Sequence, residues 1–105
     1  MVRFTLEAFS DLEEFETEVR RKLLDEIEEQ LEESREEADI TVIQRPSYGA
    51  EFPRLKLTEN DLNHRIYFDY LDSEIYVFAV RHREDAYSPE DMEEAVERLE
   101  KLREL

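Results

Sequence analysis

Two runs of β-branched and aromatic residues, His64–Tyr70 and Ile75–His82, flank the tetrad Leu71-Asp72-Ser73-Glu74. Runs of this kind around a turn signal predict a β-hairpin. The hairpin commits the chain to a sheet, and every other element must pack on it. Its register has two readings. A two-residue turn at Asp72-Ser73 pairs residue 65 with residue 80 and puts Arg65 and Arg81 on opposite faces. A three-residue turn at Asp72-Ser73-Glu74 pairs residue 65 with residue 81, and both arginines then share a face. A one-residue slip exchanges the faces of a strand.

The remaining elements follow from periodicity and capping. Residues 2–9 alternate, with Val2, Phe4, Leu6 and Ala8 on one face, and read as a strand. Ser10-Asp11-Leu12-Glu13 is a capping-box pattern. Leu12, Phe15, Val19, Leu23, Ile27 and Leu31 then recur every three or four residues, which predicts helix from Asp11 to about Ala38. One helix of that span would be about 40 Å long, more than a small domain is wide. A break near Thr17 into a helical hairpin is the alternative. Ile40–Ile43 and Arg54–Leu57 read as short strands. The single glycine, Gly49, with Pro46 and Pro53, marks residues 44–53 as the main loop. Ser88 as N-cap and Pro89 at the first position open a last helix, with Met92, Ala95, Val96, Leu99 and Leu102 on its apolar face. The expected fold is α+β: a small antiparallel sheet with an N-terminal helix or helical hairpin and a C-terminal helix, in one domain over residues 1–105.

Composition excludes several chemistries. Without cysteine there is no disulfide, no thiolate metal site and no cysteine nucleophile. Two histidines do not make a usual zinc site, and no metal or cofactor is expected. No apolar run is long enough to span a bilayer, and the N-terminus lacks a signal-peptide cleavage pattern. A cytoplasmic protein is expected. Thirty acids against 14 bases give a net charge of −16. Only Lys22, Lys56 and Lys101 among those bases are lysine. Such a balance resembles halophilic proteins, which work where molar salt screens self-repulsion within about 3 Å. The charge is uneven: residues 41–87 hold 8 acids and 6 bases, and both histidines.

That near-neutral middle carries three cationic clusters at the ends of three strands: Arg54-x-Lys56, His64-Arg65 and Arg81-His82-Arg83. Tyr87 follows four residues after the last. Guanidinium forks match phosphate geometry, so an anionic ligand would account for the grouping. The alternative is that each arginine pairs with a surface acid.

The ordered segments P-R-L-K-L, H-R-I-Y-F-D-Y and R-H-R-E-D-A-Y resemble the RelE/ParE toxin superfamily, most closely its RelE branch of ribosome-dependent mRNA interferases. The resemblance is most specific over Arg54–Tyr87. It implies a RelE-like fold and a type II toxin–antitoxin toxin: an endoribonuclease that works with the ribosome on mRNA and is neutralised by a cognate antitoxin. Cleavage would use the RNA's own 2′-hydroxyl and no metal. It implies that Lys56 helps deprotonate that hydroxyl, Arg65 holds the scissile phosphate, Arg81 serves the leaving group and Tyr87 stacks on or orients a base. Arg54, His82 and Arg83 would add RNA contacts, with His82 as an alternative acid to Arg81. His64 reads as a strand-end residue without a role. Two other readings stay open: a ParE-like inhibitor of DNA gyrase, and a catalytically inactive binding module of the same fold.

Overall fold

Thr5 ends the first strand almost as soon as it begins. In the computed structural model, which describes residues 1–104, β1 is only Val2–Phe4. The Thr5 hydroxyl accepts the Ala8 N–H at 3.1 Å and starts α1, Leu6–Glu13. The strand expected over residues 2–9 is therefore mostly helix. Alternation of Leu6 and Ala8 suits a strand, but Ala8, Asp11 and Leu12 bury one helical face while Leu6 is 82% exposed. Thr5 takes the capping role expected of Ser10, which lies exposed inside α1. The helical run breaks before Thr17, giving α2, Thr17–Glu28, as the second arm of a helical hairpin.

Four strands follow: β2, Ile40–Arg45; β3, Ala50–Leu57; β4, His64–Leu71; and β5, Glu74–His82. The last helix, α3, covers Pro89–Arg103. Strand order is β1-β5-β4-β3-β2. Strands β2 to β5 form an antiparallel meander, while β1 joins β5 in parallel. The sheet is thus mixed: the helical hairpin between β1 and β2 lets the chain cross over. Glu51–Pro53, expected in the loop, belong to β3. The turn shrinks to Pro46–Gly49, where Gly49 takes φ 71° and its N–H donates to the Pro46 carbonyl. Pro53 is tolerated because β4 pairs with β3 only from Arg54 onward.

The sheet has a core on each face. Ala8, Leu12, Leu23, Ile27 and Leu31 from α1, α2 and the turn after α2 pack against Leu55, Leu57, Ile66, Phe68, Val77 and Val80. On the other face Met92, Ala95, Leu99 and Leu102 of α3 cover Phe52, Tyr67, Phe78 and Ala79. No described helix is long and apolar enough to cross a membrane.

The hairpin turn has two residues, Asp72 and Ser73, at φ 52° and 68°. Leu71 faces Glu74 and Phe68 faces Val77, but Tyr67 faces Ala79. Phe78 is an extra residue, a β-bulge. Beyond it Ile66 pairs with Val80 and Arg65 with Arg81. A two-residue turn therefore coexists with the 65–81 pairing, because the bulge restores the residue that the short turn leaves out. Ser73 bears the cost of a left-handed backbone. Ser73→Gly is expected to raise unfolding free energy by about 0.5–1 kcal/mol, visible as a higher urea midpoint at unchanged slope.

One further device finishes β5. Its edge loses its strand partner where β1 ends, with the Thr5 N–H donating to the Val77 carbonyl. Asp11 Oδ2 then accepts the Val80 N–H at 2.9 Å, and Arg98 Nη1 donates to the Phe78 carbonyl at 3.0 Å. Arg98 also grips Asp11 with both terminal nitrogens, at 2.7 and 3.1 Å. A buried acid and its arginine partner thus satisfy backbone groups that a missing strand would otherwise pair.

Candidate anion-binding site

Residues opposite one another in neighbouring antiparallel strands share a face. Lys56, Arg65 and Arg81 form one such row, and Arg54, Tyr67 and Ala79 the next. Tyr67 and Ala79 belong to the core under α3, so Arg54, Lys56, Arg65 and Arg81 all lie on the α3 face. The convergence of these four on one face, which the bulge secures, is what an anion site built from β3, β4 and β5 requires.

The side chains then divide. Arg54 and Arg65 are 9% and 7% exposed. Arg65 Nη1 donates to Asn63 Oδ1 at 3.2 Å and to the His64 carbonyl at 3.1 Å, both neutral acceptors. Arg54 has buried Nε and Nη1 atoms with no hydrogen-bond partner among the described residues. Its nearest carboxylate oxygen, Asp39 Oδ1, is 3.7 Å from Nη1. Leaving a buried charged donor unmatched costs upward of about 1–3 kcal/mol, and native proteins rarely retain one. Tyr87 stacks on Tyr67 with centroids 6.1 Å apart and planes at 28°. The Arg45 guanidinium stands 6.0 Å from the Tyr87 ring centre. Burial pushes the Tyr87 phenol up from its ordinary pKa, while Arg54, Arg65 and Arg45 oppose the rise. Arg54, Arg65 and Arg45 thus lie around Tyr87, and Lys56, half-buried, extends their row to form a cationic cradle. Pairing with surface acids accounts for little of this group: Arg54 has Asp39 at 3.7 Å, and Arg45 and Arg65 have no carboxylate within 4 Å among the described residues.

Such pairing does describe Arg81. Its Nε donates to Asp91 Oδ1 at 2.7 Å, Nη1 meets Asp11 Oδ1 at 3.0 Å, and Nη2 reaches Glu94. Burial alone would lower its pKa, but the three carboxylates raise it above the ordinary arginine value. Its fork is filled, and none of its nitrogens is left over for the leaving group of a bound RNA. Asp91 Oδ2 also accepts the Tyr67 hydroxyl at 2.6 Å and the Tyr87 N–H at 2.9 Å. Burial, reinforced by Asp91, pushes the Tyr67 phenol far up. An open groove of about 850 Å³ lies beside this network, lined by Asp11, Glu14, Glu84, Asp85, Asp91 and Glu94 among others. Its acids would repel a phosphate, so its size does not make it the anion site.

The histidines lie elsewhere. His64 faces His82 across β4 and β5, one position beyond the arginine row and hence on the opposite face. The His64 ring meets Phe15 edge-on at 5.0 Å and His82 at 5.2 Å. His82 Nδ1 accepts the Glu84 N–H and caps the turn after β5. The expected His82 contact therefore does not join the cradle. Arg83 is exposed on that turn. Burial, then His82 and Arg65, hold His64 at a pKa of about 4 against 6.5 when exposed. The folded state thus keeps it neutral while the unfolded chain protonates. Its stabilising contribution is complete above pH 6.5 and is lost as pH falls to about 4, on the order of 3 kcal/mol. His64→Asn, which cannot titrate, is expected to lack that part of the acid destabilisation in denaturant titrations between pH 7 and 4.

Three residues escaped sequence reasoning: Arg45, Tyr67 and Asp91. A signal for Arg45 exists, since residues 40–50 are the longest stretch of the chain without an acid. Asp91 looks like any first-turn helix acid, and Tyr67 like a core aromatic.

Residues 2–87 match the family described as ParE toxin of type II toxin-antitoxin system, parDE. No curated protein matches the chain. The fold is similar to a chain of the RelB–RelE antitoxin–toxin complex from Methanococcus jannaschii, with TM-score 0.57, 22% identity and coverage of 81% of this chain and 94% of that one. It is also similar to a chain of the archaeal RelE–RelB complex from Pyrococcus horikoshii OT3, with TM-score 0.55, 18% identity and coverage of 81% and 96%. At these identities the likeness establishes the α+β fold.

Proposed function

We propose a function from one premise: the chain belongs to the ParE toxin family of type II toxin–antitoxin systems. Its cradle grips an RNA phosphodiester, and the toxin cleaves mRNA on the ribosome. The observation that carries this reading is the gathering of Arg54, Lys56 and Arg65 on one sheet face beside Tyr87, with the buried Arg54 charge poorly matched. A phosphate supplies acceptors of the right geometry and charge. Arg54 and Arg65 hold the phosphate, Lys56 favours the 2′-oxyanion, and Tyr87, with Arg45 over its ring, stacks on a base. The 2′-oxygen bonds to phosphorus and the bond to the 5′-oxygen breaks. A proton passes from the first oxygen to the second, leaving a 2′,3′-cyclic phosphate and a 5′-hydroxyl. Arginine and lysine are poor acids and bases near neutrality. The site therefore contributes positioning and charge stabilisation, and the ribosome holds the mRNA in a reactive shape.

A cognate antitoxin is the expected partner and would cover the cradle. A net charge of −16 works against meeting a polyanion in dilute buffer, so the toxin relies on short-range forks and stacking that tolerate salt. Purified ribosomes with mRNA, at low and high salt, test this. Cut mRNA is expected with the wild type at both and intact mRNA with Arg65→Ala. Uncut mRNA in every lane would discard the reading. The match to the ParE family favours a second one, inhibition of DNA gyrase, which a supercoiling assay would register while RNA stays intact.

A further inference from the structure

Tyr87 carries a backbone conformation that its side chain does not favour. Its φ is 69°. The other non-glycine residues at positive φ are Asn60, Asp61, Asp72 and Ser73, all small and polar. Such residues adopt the left-handed region in turns, whereas a bulky aromatic residue does so only when its surroundings hold it there.

Asp91 supplies the hold. It is the third residue of α3, and its own N–H donates to Oγ of the N-cap, Ser88, at 3.1 Å. A carboxylate at this position commonly reaches back to the N-cap N–H. Here it reaches one residue further, to the Tyr87 N–H at 2.9 Å. The same oxygen accepts the hydroxyl of Tyr67, the ring on which Tyr87 stacks. One carboxylate thus fixes both the backbone of Tyr87 and the platform beneath its ring. Arg81 Nε occupies the other oxygen at 2.7 Å, and Arg81 ties the unit to Asp11 on α1.

We infer that Asp91 is the positioning residue that holds Tyr87 in the cradle, and that Arg81 acts through Asp91 rather than by touching the ligand. The inference rests on the cradle reading only in taking Tyr87 as a group that faces RNA. Its physical content is a property of the free protein. Asparagine at position 91 keeps the shape but offers one acceptor oxygen where the carboxylate uses two, so the Tyr67, Tyr87 and Arg81 contacts cannot all persist.

The test compares wild type, Asp91→Asn, Arg81→Gln, Tyr87→Ala and the double variant Tyr87→Ala/Asp91→Asn, at a temperature where circular dichroism shows each folded. Tyr67→Phe, which removes only one hydroxyl, is the milder variant should Asp91→Asn fold poorly. Two readouts are taken: hydrogen exchange of the Tyr87 amide without ligand, and affinity for a short oligoribonucleotide. Asp91→Asn and Arg81→Gln are expected to speed Tyr87 amide exchange about tenfold or more over that of core amides. They should weaken the oligoribonucleotide about tenfold, as Tyr87→Ala does, and the double variant should be no weaker than Tyr87→Ala alone. Unchanged Tyr87 exchange in Asp91→Asn, or additive losses in the double variant, would overturn the inference. Loss of mRNA cleavage in Arg81→Gln with the Tyr87 amide unmoved would place Arg81 at the ligand and overturn that half. Faster exchange in Asp91→Asn with no variant altering affinity would instead uphold the positioning of Tyr87 and refute the cradle as an RNA site.

Discussion

Arg54→Met is expected to stabilise the free protein and to weaken its proposed hold on phosphate. The substitution keeps the aliphatic stem and removes a buried charge whose Nε and Nη1 have no acceptor. Replacing a buried ionic group by a well-packed apolar one is often neutral or stabilising by about 1–4 kcal/mol. The gain here lies toward the lower end, because Asp39 at 3.7 Å offsets part of the burial cost. The functional loss goes the other way. One charge-assisted hydrogen bond to a phosphate is worth about 1.5–3 kcal/mol, or roughly ten- to a hundredfold in oligoribonucleotide affinity. Urea denaturation and a binding titration on the same preparation measure both. A variant that is less stable than wild type, or one that binds as tightly, would show that Arg54 is an ordinary core arginine. A rise in stability with a loss of binding is the signature of a group kept for function.

Asp11→Ala is expected to have the largest effect on folding, a loss of about 3–5 kcal/mol. The residue is 5% exposed and serves three partners: the Val80 N–H, both terminal nitrogens of Arg98, and Arg81. Removing it leaves a buried amide without an acceptor and takes the buried counterion from Arg98, which keeps only the half-exposed Glu94. Against a total stability of about 5–15 kcal/mol for a domain of ordinary robustness, that is enough to populate the unfolded state. Glu94→Ala is the control. Glu94 also contacts Arg81 and Arg98, but its side chain is half exposed, so its loss should cost less than about 1 kcal/mol. Equal effects of the two would deny Asp11 its role in finishing the sheet edge.

What the sequence made legible was the local part. The C-terminal helix declared itself through Ser88, Pro89 and an apolar stripe, while the break before Thr17 was one of two readings that length left open. The face shared by Arg54 and Lys56 came from simple alternation. Failures arose where distant groups compete with local pattern. The alternation of residues 2–9 lost to the Thr5 cap and to burial of Ala8 and Leu12 under the sheet. The parallel seating of β1 depends on a crossover that no short window contains. Arg81 shares the expected face, yet its partners come from α1 and α3 at opposite ends of the chain. No spacing rule could say that its fork would be filled while that of Arg54 stayed open. Asp91 carried no signal beyond that of a helix-start acid, although it gathers Tyr67, Arg81 and Tyr87.

Phe78 gives the cradle a tolerance that side-chain substitutions do not expose. Deleting this one residue, with no change of charge, would leave a regular hairpin in which Tyr67 still faces Ala79 and Arg65 still faces Arg81, because the bulge residue is the one without a partner. Two relatives that differ by this single residue could then present the same basic row from strands of different length. An alignment that counts outward from the hairpin tip would be out of phase beyond the bulge. Deep scanning by deletion should therefore find the basic row kept when Phe78 is lost, with the damage confined to the packing its buried ring supplies.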